Sequence, residues 1–394
     1  MDARRNPFVP GAGNAPPELA GRAAVIEQTD IALSRIRDGK PDRSVLLYGL
    51  RGVGKTVLLN RLRQNAEASG IVCVSIEAPE TRSLPAVLAP QLRTGLLLLD
   101  RLAAAGDTAK KALSALSGFV RGLKAKFGDI EFSLDIPSLP GIADSGDLDN
   151  DIRDLMIEIG MAAKERGTAF AMFIDELQYV PEKQLAALIS ALHACAQRSL
   201  PITLVGAGLP QLVGATGRAK SYAERLFQFV PIGALSAADA AEAIRKPAAK
   251  EGVEFSDGAI KKILRATQGY PYFLQEWGKH SWAVAAASPV STADVTAATA
   301  IAVNELDASF FRVRFDRCTP SEKNYLRAMA ESDDEVSRSG EIAARLGRLP
   351  NLVAPTRASL IKKGMIYSPA HGDAAFTVPL FSGYMRRAMP MFPG

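Results

Sequence analysis

Apolar and polar positions along this chain follow two periods, and the alternation between them outlines its organisation. From Arg22 to Asp38 apolar residues recur at helical spacing, with Ala24, Ile26, Ile31, Leu33 and Ile36 on the repeating face. Gly39-Lys40-Pro41-Asp42 then ends the run. Ser44 to Tyr48 predicts a short buried strand, Lys55 to Ala68 a helix, and Ile71 to Ile76 a second, β-branched strand. Strand, helix and strand in so short a span make a βαβ unit, which implies a parallel sheet with right-handed crossovers. A long helical region follows from Ser83 to Lys126, then a strand-like piece at Ile130 to Ile136 and an acidic linker from Asp144 to Asp151. The alternation resumes with a helix at Leu148 to Arg166, a buried strand at Ala169 to Ile174, a helix at Glu182 to Arg198 and a strand at Ile202 to Val205. A last short strand is expected at Phe227 to Ile232, giving an α/β core with a parallel five-stranded sheet.

Beyond Ser236 the strand signal stops. Ser236 to Glu251, Asp257 to Thr267, Tyr272 to Ala287 and Thr292 to Arg312 all read as helices, a small helical domain. Thr319-Pro320-Ser321-Glu322 is a helix-start signal, with Thr319 at the N-cap, Pro320 at N1 and Glu322 at N3. The expected division is an irregular segment 1–18, an α/β core 19–234 with a helical insertion at about 80–147, a helical lid 235–317 and a C-terminal domain 318–394.

Composition narrows the class. Of 394 residues, 47% are hydrophobic and 23% charged, so the chain can bury a sizeable core. The longest uncharged stretch, Ser199 to Gly217, is broken by Pro201, Pro210 and several glycines, which leaves no membrane span. The opening MDARRNPFVPGAGNAPP has no apolar centre of the secretory kind. Cys73, Cys195 and Cys318 are spaced as neither a disulfide framework nor a zinc pattern, and a soluble cytoplasmic protein is expected. The net charge of +5 does not by itself demand an acidic partner. Lys110, Lys111, Arg121, Lys124 and Lys126 face only Asp107 in their segment, and read as a solvated helix face. His193, on an apolar helix, reads as a packed residue.

The first strand runs into chemistry. Gly49-Leu50-Arg51-Gly52-Val53-Gly54-Lys55-Thr56 fits G-x-x-x-x-G-K-[ST] at every fixed position, between an apolar strand and a helix that continues through Val57. Glycines let the backbone turn through positive φ and gather N–H groups around a polyphosphate, while the helix N-terminus behind them adds about half a positive charge. Lys55 is expected to reach the β- and γ-phosphates of ATP, and Thr56 to hold Mg²⁺ through its hydroxyl. A second buried strand, Ala169 to Ile174, runs into Asp175-Glu176. This fits a Walker B strand, with Asp175 on Mg²⁺ and Glu176 polarising the attacking water.

With both motifs placed, the chain resembles the AAA+/STAND group of P-loop ATPases, near the origin-recognition-like and archaeal-type members, over roughly residues 15–390. That resemblance implies several further residues. Gly21-Arg22, in Leu19-Ala20-Gly21-Arg22, is similar to the pair that lies beside the adenine. Ala223-Glu224-Arg225-Leu226-Phe227 resembles the segment carrying an arginine finger, with Arg225 the candidate and Arg218 the reserve. Gly269-Tyr270-Pro271 resembles the Gly-x-Pro whose proline abuts the nucleotide in STAND proteins. Two departures point to slow hydrolysis. No sensor-2 arginine stands near Gly269, and the fourth strand ends in Val205-Gly206-Ala207-Gly208 without the Asn, Ser or Thr of sensor 1.

Residues 319–390 read as a winged helix-turn-helix. Its helices are expected at Pro320 to Ala330, Gly340 to Leu346 and, as the recognition helix, Pro355 to Lys363; a hairpin of Met365 to Ser368 with Phe376 to Val378 and a helix at Leu380 to Ala388 follow. Ile342 to Gly372 holds Arg345, Arg348, Arg357, Lys362 and Lys363 without an acid, which suits phosphate contacts to duplex DNA. Thr356, Arg357 and Ser359 are placed outward beside Lys362 and Lys363, with Leu360 and Ile361 packed in. Phe310, Phe311 and Phe315 read as core between lid and winged helix. The function expected is a nucleotide-dependent switch that couples ATP binding or slow hydrolysis to DNA. The alternative is a STAND-type signalling ATPase whose winged helix binds its own core or a protein partner. Finger chemistry adds the expectation of a homo-oligomer.

Overall fold

A computed structural model describes residues 1–392, except 12, 79, 102–106, 125–136 and 333. The strand-like piece expected at Ile130 to Ile136 lies outside the described residues, as does Lys126. Two compact units emerge: one of Ala23–Tyr48 with Lys55–Pro231, the other of Met1–Arg22, Gly49–Gly54 and Ile232–Gly394.

The first unit is a layered α/β body. Its elements in chain order are α1 (Ala23–Arg37), β1 (Ser44–Tyr48), α2 (Lys55–Ala68), β2 (Val72–Glu77), α3 (Leu84–Arg101), α4 (Asp107–Lys124), α5 (Leu148–Glu165), β3 (Phe170–Asp175), α6 (Glu182–Gln197), β4 (Ile202–Gly208), α7 (Gln211–Ala219), α8 (Ala223–Leu226) and β5 (Phe227–Pro231). The five strands are all parallel, in the order β2-β3-β4-β1-β5. β3, flanked on both sides, is buried throughout, as an unbroken apolar run in a parallel sheet requires. Gly206 in β4 is there for space, because a Cβ would stand 2.3 Å from Leu177 Cδ1 and 2.6 Å from Leu46 Cδ2. The acidic linker is a folded cap. Asp147 caps α5, and buried Asp151 accepts from the Ser145 and Gly146 amides at 2.9 and 2.8 Å. Lys111 of the basic stretch pairs with Glu158 of α5 at 3.0 Å, a partner the local sequence did not reveal.

The second unit carries α9 (Ala237–Lys250), α10 (Asp257–Thr267), α11 (Pro271–Val284), α12 (Thr292–Leu306), α13 (Arg312–Asp316), α14 (Pro320–Met329), β6 (Val336–Arg338), α15 (Ser339–Arg345), α16 (Pro350–Lys362), β7 (Ile366–Tyr367), β8 (Asp373–Phe376) and α17 (Phe381–Ala388). A π-helical turn, Asp307–Phe311, interrupts what had been expected as one helix from Thr292 to Arg312. The extra residue per turn lets two neighbouring rings find partners: Phe310 stacks on Tyr272 at 4.7 Å, and Phe311 packs on Phe381 and Tyr384 at 5.7 and 5.3 Å. The capping box at Thr319 and Glu322 forms as its spacing predicts. One apolar cluster joins Trp277, Tyr325, Leu360 and Phe381, so α11, α14, α16 and α17 share a core.

Two local expectations need correction. The helix placed at Pro355 to Lys363 begins at Pro350, which takes N1, and Pro355 lies inside it. Both prolines could have opened a helix, and nothing between them decides. The hairpin strands are β7 and β8, with β8 also pairing with the unexpected β6 in a three-stranded antiparallel sheet ordered β6-β8-β7. Among the described residues no helix is long and apolar enough to cross a membrane.

Candidate functional site

In the α/β unit, the end of β3 and the start of α2 bring together the oxygen donors that the two motifs named. Thr56 Oγ1 donates to Asp175 Oδ2 at 2.6 Å. Asp175 Oδ1 accepts the Glu176 amide at 2.8 Å, which fixes the carboxylate against its own strand end. Burial pushes the Asp175 carboxyl up from its ordinary range, while the Thr56 hydroxyl and the Glu176 amide pull it down. Lys55 opens α2 and is buried, and its positive charge also pulls the Asp175 carboxyl down. A hydroxyl beside a carboxylate is a hard-oxygen pair, the donor chemistry that suits Mg²⁺.

Glu176 is held in a left-handed conformation, φ 52°, which a non-glycine residue adopts at a cost of roughly 1–3 kcal/mol. Such strain persists where the surroundings fix it, and here they do. The Gln178 side-chain amide donates to the Glu176 carboxylate, and Gln178 Oε1 in turn accepts the Leu209 amide at 2.9 Å. Gly208 leaves the room, since a Cβ there would stand 2.8 Å from Gln178 Oε1. Sequence reasoning missed Gln178. The signal was its spacing after Asp175-Glu176 opposite a glycine strand end, a match visible only once β3 and β4 are neighbours.

The second unit holds the loop residues that precede Lys55 in the chain. Gly52 and Gly54 take φ of 81° and 87°, the left-handed turn the motif calls for. Gly49 is compelled by space, because a Cβ would lie 1.9 Å from the Ile232 carbonyl oxygen. Three backbone groups of this loop are tethered. The Arg51 amide donates to the Thr377 carbonyl at 2.9 Å, and the Gly52 carbonyl accepts the Tyr272 amide at 3.1 Å. Arg22 Nη2 reaches the Val53 carbonyl at 3.3 Å and the Gly233 carbonyl at 2.5 Å. Gly21 before it takes φ 66° with Asp239 close by, so the Gly-Arg pair clasps the loop. Pro271 takes the N1 position of α11, after Gly269 at φ 73° whose carbonyl accepts the Leu235 amide. Leu50 lines a cleft of about 220 Å³ together with Tyr270, Glu335, Tyr367 and Arg386.

Arg225 sits exposed on the short α8. Arg218, the reserve, is exposed at the end of α7 and pairs with Glu182 at 3.4 Å. His193 packs its ring on Tyr222 at 4.4 Å, as its apolar helix predicts.

The outward placement of the α16 residues is corrected. Arg357 Nη2 donates to Ser368 Oγ and the Asp373 carbonyl at 2.8 and 2.7 Å. Ser359 Oγ donates to Glu322 Oε1, and Lys363 Nζ to Glu322 Oε2, both at 2.7 Å. Thr356 Oγ1 lies 3.4 Å from Ser321 Oγ. Lys362 alone of the five named positions is exposed. The acid-free stretch is compensated in three dimensions by buried Glu322 of α14, whose carboxyl burial pushes up but whose bonds from Lys363, Ser359 and the Thr319 amide hold below its ordinary range. Beside Lys362, α16 exposes apolar side chains at its start: Leu349 just before it and Leu352 within it are 65% and 60% exposed.

Comparison with known families now bears on this geometry. Residues 18–205 match the AAA ATPase domain, and residues 308–385 match a domain of unknown function (DUF8462). No curated protein matches the sequence. Among solved structures, the Walker-type ATPase of Pyrococcus abyssi superposes with a TM-score of 0.58 at 16% identity, covering 93% of this chain and 96% of that one. ORC1 of Aeropyrum pernix, solved in complex with DNA, gives a TM-score of 0.47 at 15% identity over 97% of this chain and 96% of its own. The RuvB Holliday junction branch migration motor of Thermotoga maritima gives 0.44 at 16% identity, over 92% and 96%.

Proposed function

We propose that this chain, an AAA+-type P-loop ATPase by fold, is a nucleotide-controlled switch whose C-terminal module is the output. The observation that carries the reading is the tethering of the phosphate loop. Its Arg51 amide is bonded to Thr377 of the C-terminal module and its Gly52 carbonyl to Tyr272 of the lid helix α11. A loop that rearranges around a polyphosphate loads both bonds at once, which gives the nucleotide state a mechanical route to lid and module.

The residues for the chemistry are the ones the motifs named. Gly49, Leu50, Arg51, Gly52, Val53, Gly54, Lys55, Thr56 and Val57 form the loop and helix start for ATP, with Arg22 bracing the loop. Thr56 and Asp175 would hold Mg²⁺, which would offset the negative charge of the phosphates. Glu176 is the residue that takes the proton of the attacking water, in an orientation fixed by Gln178. Exposed Arg225 is the finger offered to a neighbouring copy. Turnover rescued by mixing Arg225→Ala with Lys55→Ala protein would support that role; no rescue would remove it.

For the output, the geometry favours the signalling reading, in which the winged-helix module of residues 318–394 binds its own unit or a protein partner. What supports it is the internal engagement of Arg357, Ser359 and Lys363 and the apolar exposure of Leu349 and Leu352. The DNA reading rests on the exposed Arg348 and Lys362. Duplex DNA binding, measured with and without a non-hydrolysable ATP analogue over a salt series, separates the two. Nucleotide-dependent binding that falls with salt and is lost in Arg348→Ala plus Lys362→Ala would overturn the preference for a protein partner.

A further inference from the structure

On α11 and α12, beyond the residues any motif named, three ligand-type side chains converge. Glu276 and His280 stand one turn apart on α11, and Glu305 comes from α12. His280 Nε2 lies 3.0 Å from Glu305 Oε2 and 3.6 Å from Glu276 Oε2, and ligand atoms of the three all fall within 4.8 Å of one another. Glu276 and His280 are each only 6% exposed. Nevertheless Glu276 Oε2 and His280 Nε2 are buried without a hydrogen-bond partner. Burying a carboxylate oxygen without a hydrogen bond costs roughly 1–3 kcal/mol, more when charged, and a neutral His280 would meet Glu305 Oε2 without an ion pair, so the cluster requires an account.

We propose that Glu276, His280 and Glu305 form a binding site for a divalent metal ion of the zinc class, clamping α11 to α12. Zinc–nitrogen and zinc–oxygen bonds of about 2.1 Å at a tetrahedral angle set neighbouring donors about 3.4 Å apart, and the two measured separations bracket that value. A mixed imidazole and carboxylate set suits zinc better than magnesium or calcium, which take oxygen. Outer contacts orient the ligands. Lys279 Nζ holds Glu305 Oε1 at 3.0 Å, which leaves Oε2 facing His280. The Tyr272 hydroxyl acts on the Glu276 carboxyl, and Phe273 and Trp277 of the same helix are buried. Because the Tyr272 amide is the donor to the Gly52 carbonyl, a metal here stiffens the helix that contacts the phosphate loop.

The test uses the full chain, stripped with a chelator and kept free of nucleotide, titrated with zinc against a metal-buffering competitor and checked by elemental analysis. One zinc per chain is expected, together with a rise in melting temperature. His280→Gln and Glu305→Gln should each lose at least about ten-fold in zinc affinity, and Co²⁺ loading of the parent should give a visible ligand-field band absent from His280→Gln. Glu305, on the rim, can be changed without disturbing the core, so its variant keeps the test decisive if His280→Gln misfolds. A parent that takes up no stoichiometric zinc overturns the proposal. So does a Glu305→Gln protein that binds zinc as tightly as the parent, since free Cys73, Cys195 or Cys318 would then be the ligands.

Discussion

Two polar clusters in this molecule contain the same kinds of group and are put to different use. At the end of β3, Thr56, Asp175, Glu176 and Gln178 gather around a strained backbone, φ 52° at Glu176. At the start of α14, Glu322 gathers Ser359, Lys363 and the Thr319 amide, closing the turn of its own capping box. In the second, the carboxylate accepts three donors including a cation, and the result is a stapled pair of helices. In the first, Asp175 accepts two neutral donors, and its lone pairs retain capacity for a metal. Strain with spare coordination marks a place for chemistry; full satisfaction without strain marks structure.

The largest expected effect comes from breaking the first cluster at its chemical end. Glu176→Gln should lower kcat for ATP hydrolysis by about 10²–10⁴-fold while nucleotide affinity stays near that of the parent, as steady-state rates beside calorimetry would show. Equal turnover in that variant would remove Glu176 from the mechanism.

Breaking the second cluster should cost stability and leave the chemistry alone. Glu322→Gln removes charge-assisted bonds from a buried carboxylate and should lower the unfolding free energy by about 2 kcal/mol in urea melts. The sign of its pH dependence follows from the depressed Glu322 pKa. Its contribution is full above the ordinary carboxylate range and is lost as pH falls through the lowered folded value. Acid melts of the parent should therefore steepen there, and those of Glu322→Gln should not.

A smaller effect sharpens the comparison inside the first cluster. Gln178→Ala removes one hydrogen bond from the Glu176 carboxylate without removing the carboxylate, so kcat should fall by about ten-fold with little change in KM. An unchanged kcat would make Gln178 a packing residue. The smallest effect is expected on the α16 face: Arg348→Ala plus Lys362→Ala should leave ATP turnover unchanged and alter any DNA affinity by less than about ten-fold at moderate salt.

The same contrast explains what could be read from the chain. The loop from Gly49 to Thr56 and the Asp175-Glu176 pair stood out as candidates because they are contiguous residues that flank apolar runs. Lys55 to Ala68 and Asp257 to Thr267 came out as helices with the expected bounds for the same reason. Glu322 was legible as an N3 cap, a local role, but not as the counter-charge to Lys363, which depends on α14 meeting α16. Gln178 and the Glu276–His280–Glu305 cluster were illegible for that reason too, since each needs a neighbour from another element. The start of α16 was lost to a tie between two prolines, and the π turn at Asp307–Phe311 to aromatic packing that helical periodicity does not encode.

In the proposed switch, the loop opening α2 binds a nucleoside triphosphate through its backbone amides and Lys55. Calorimetric titration of the folded chain with ATP and magnesium, beside Lys55→Ala, tests it most directly. Saturable heat with one ATP per chain is expected in the parent, and at least about a hundred-fold weaker binding in the variant. An absence of heat in the parent, or equal affinity in the two proteins, would contradict it.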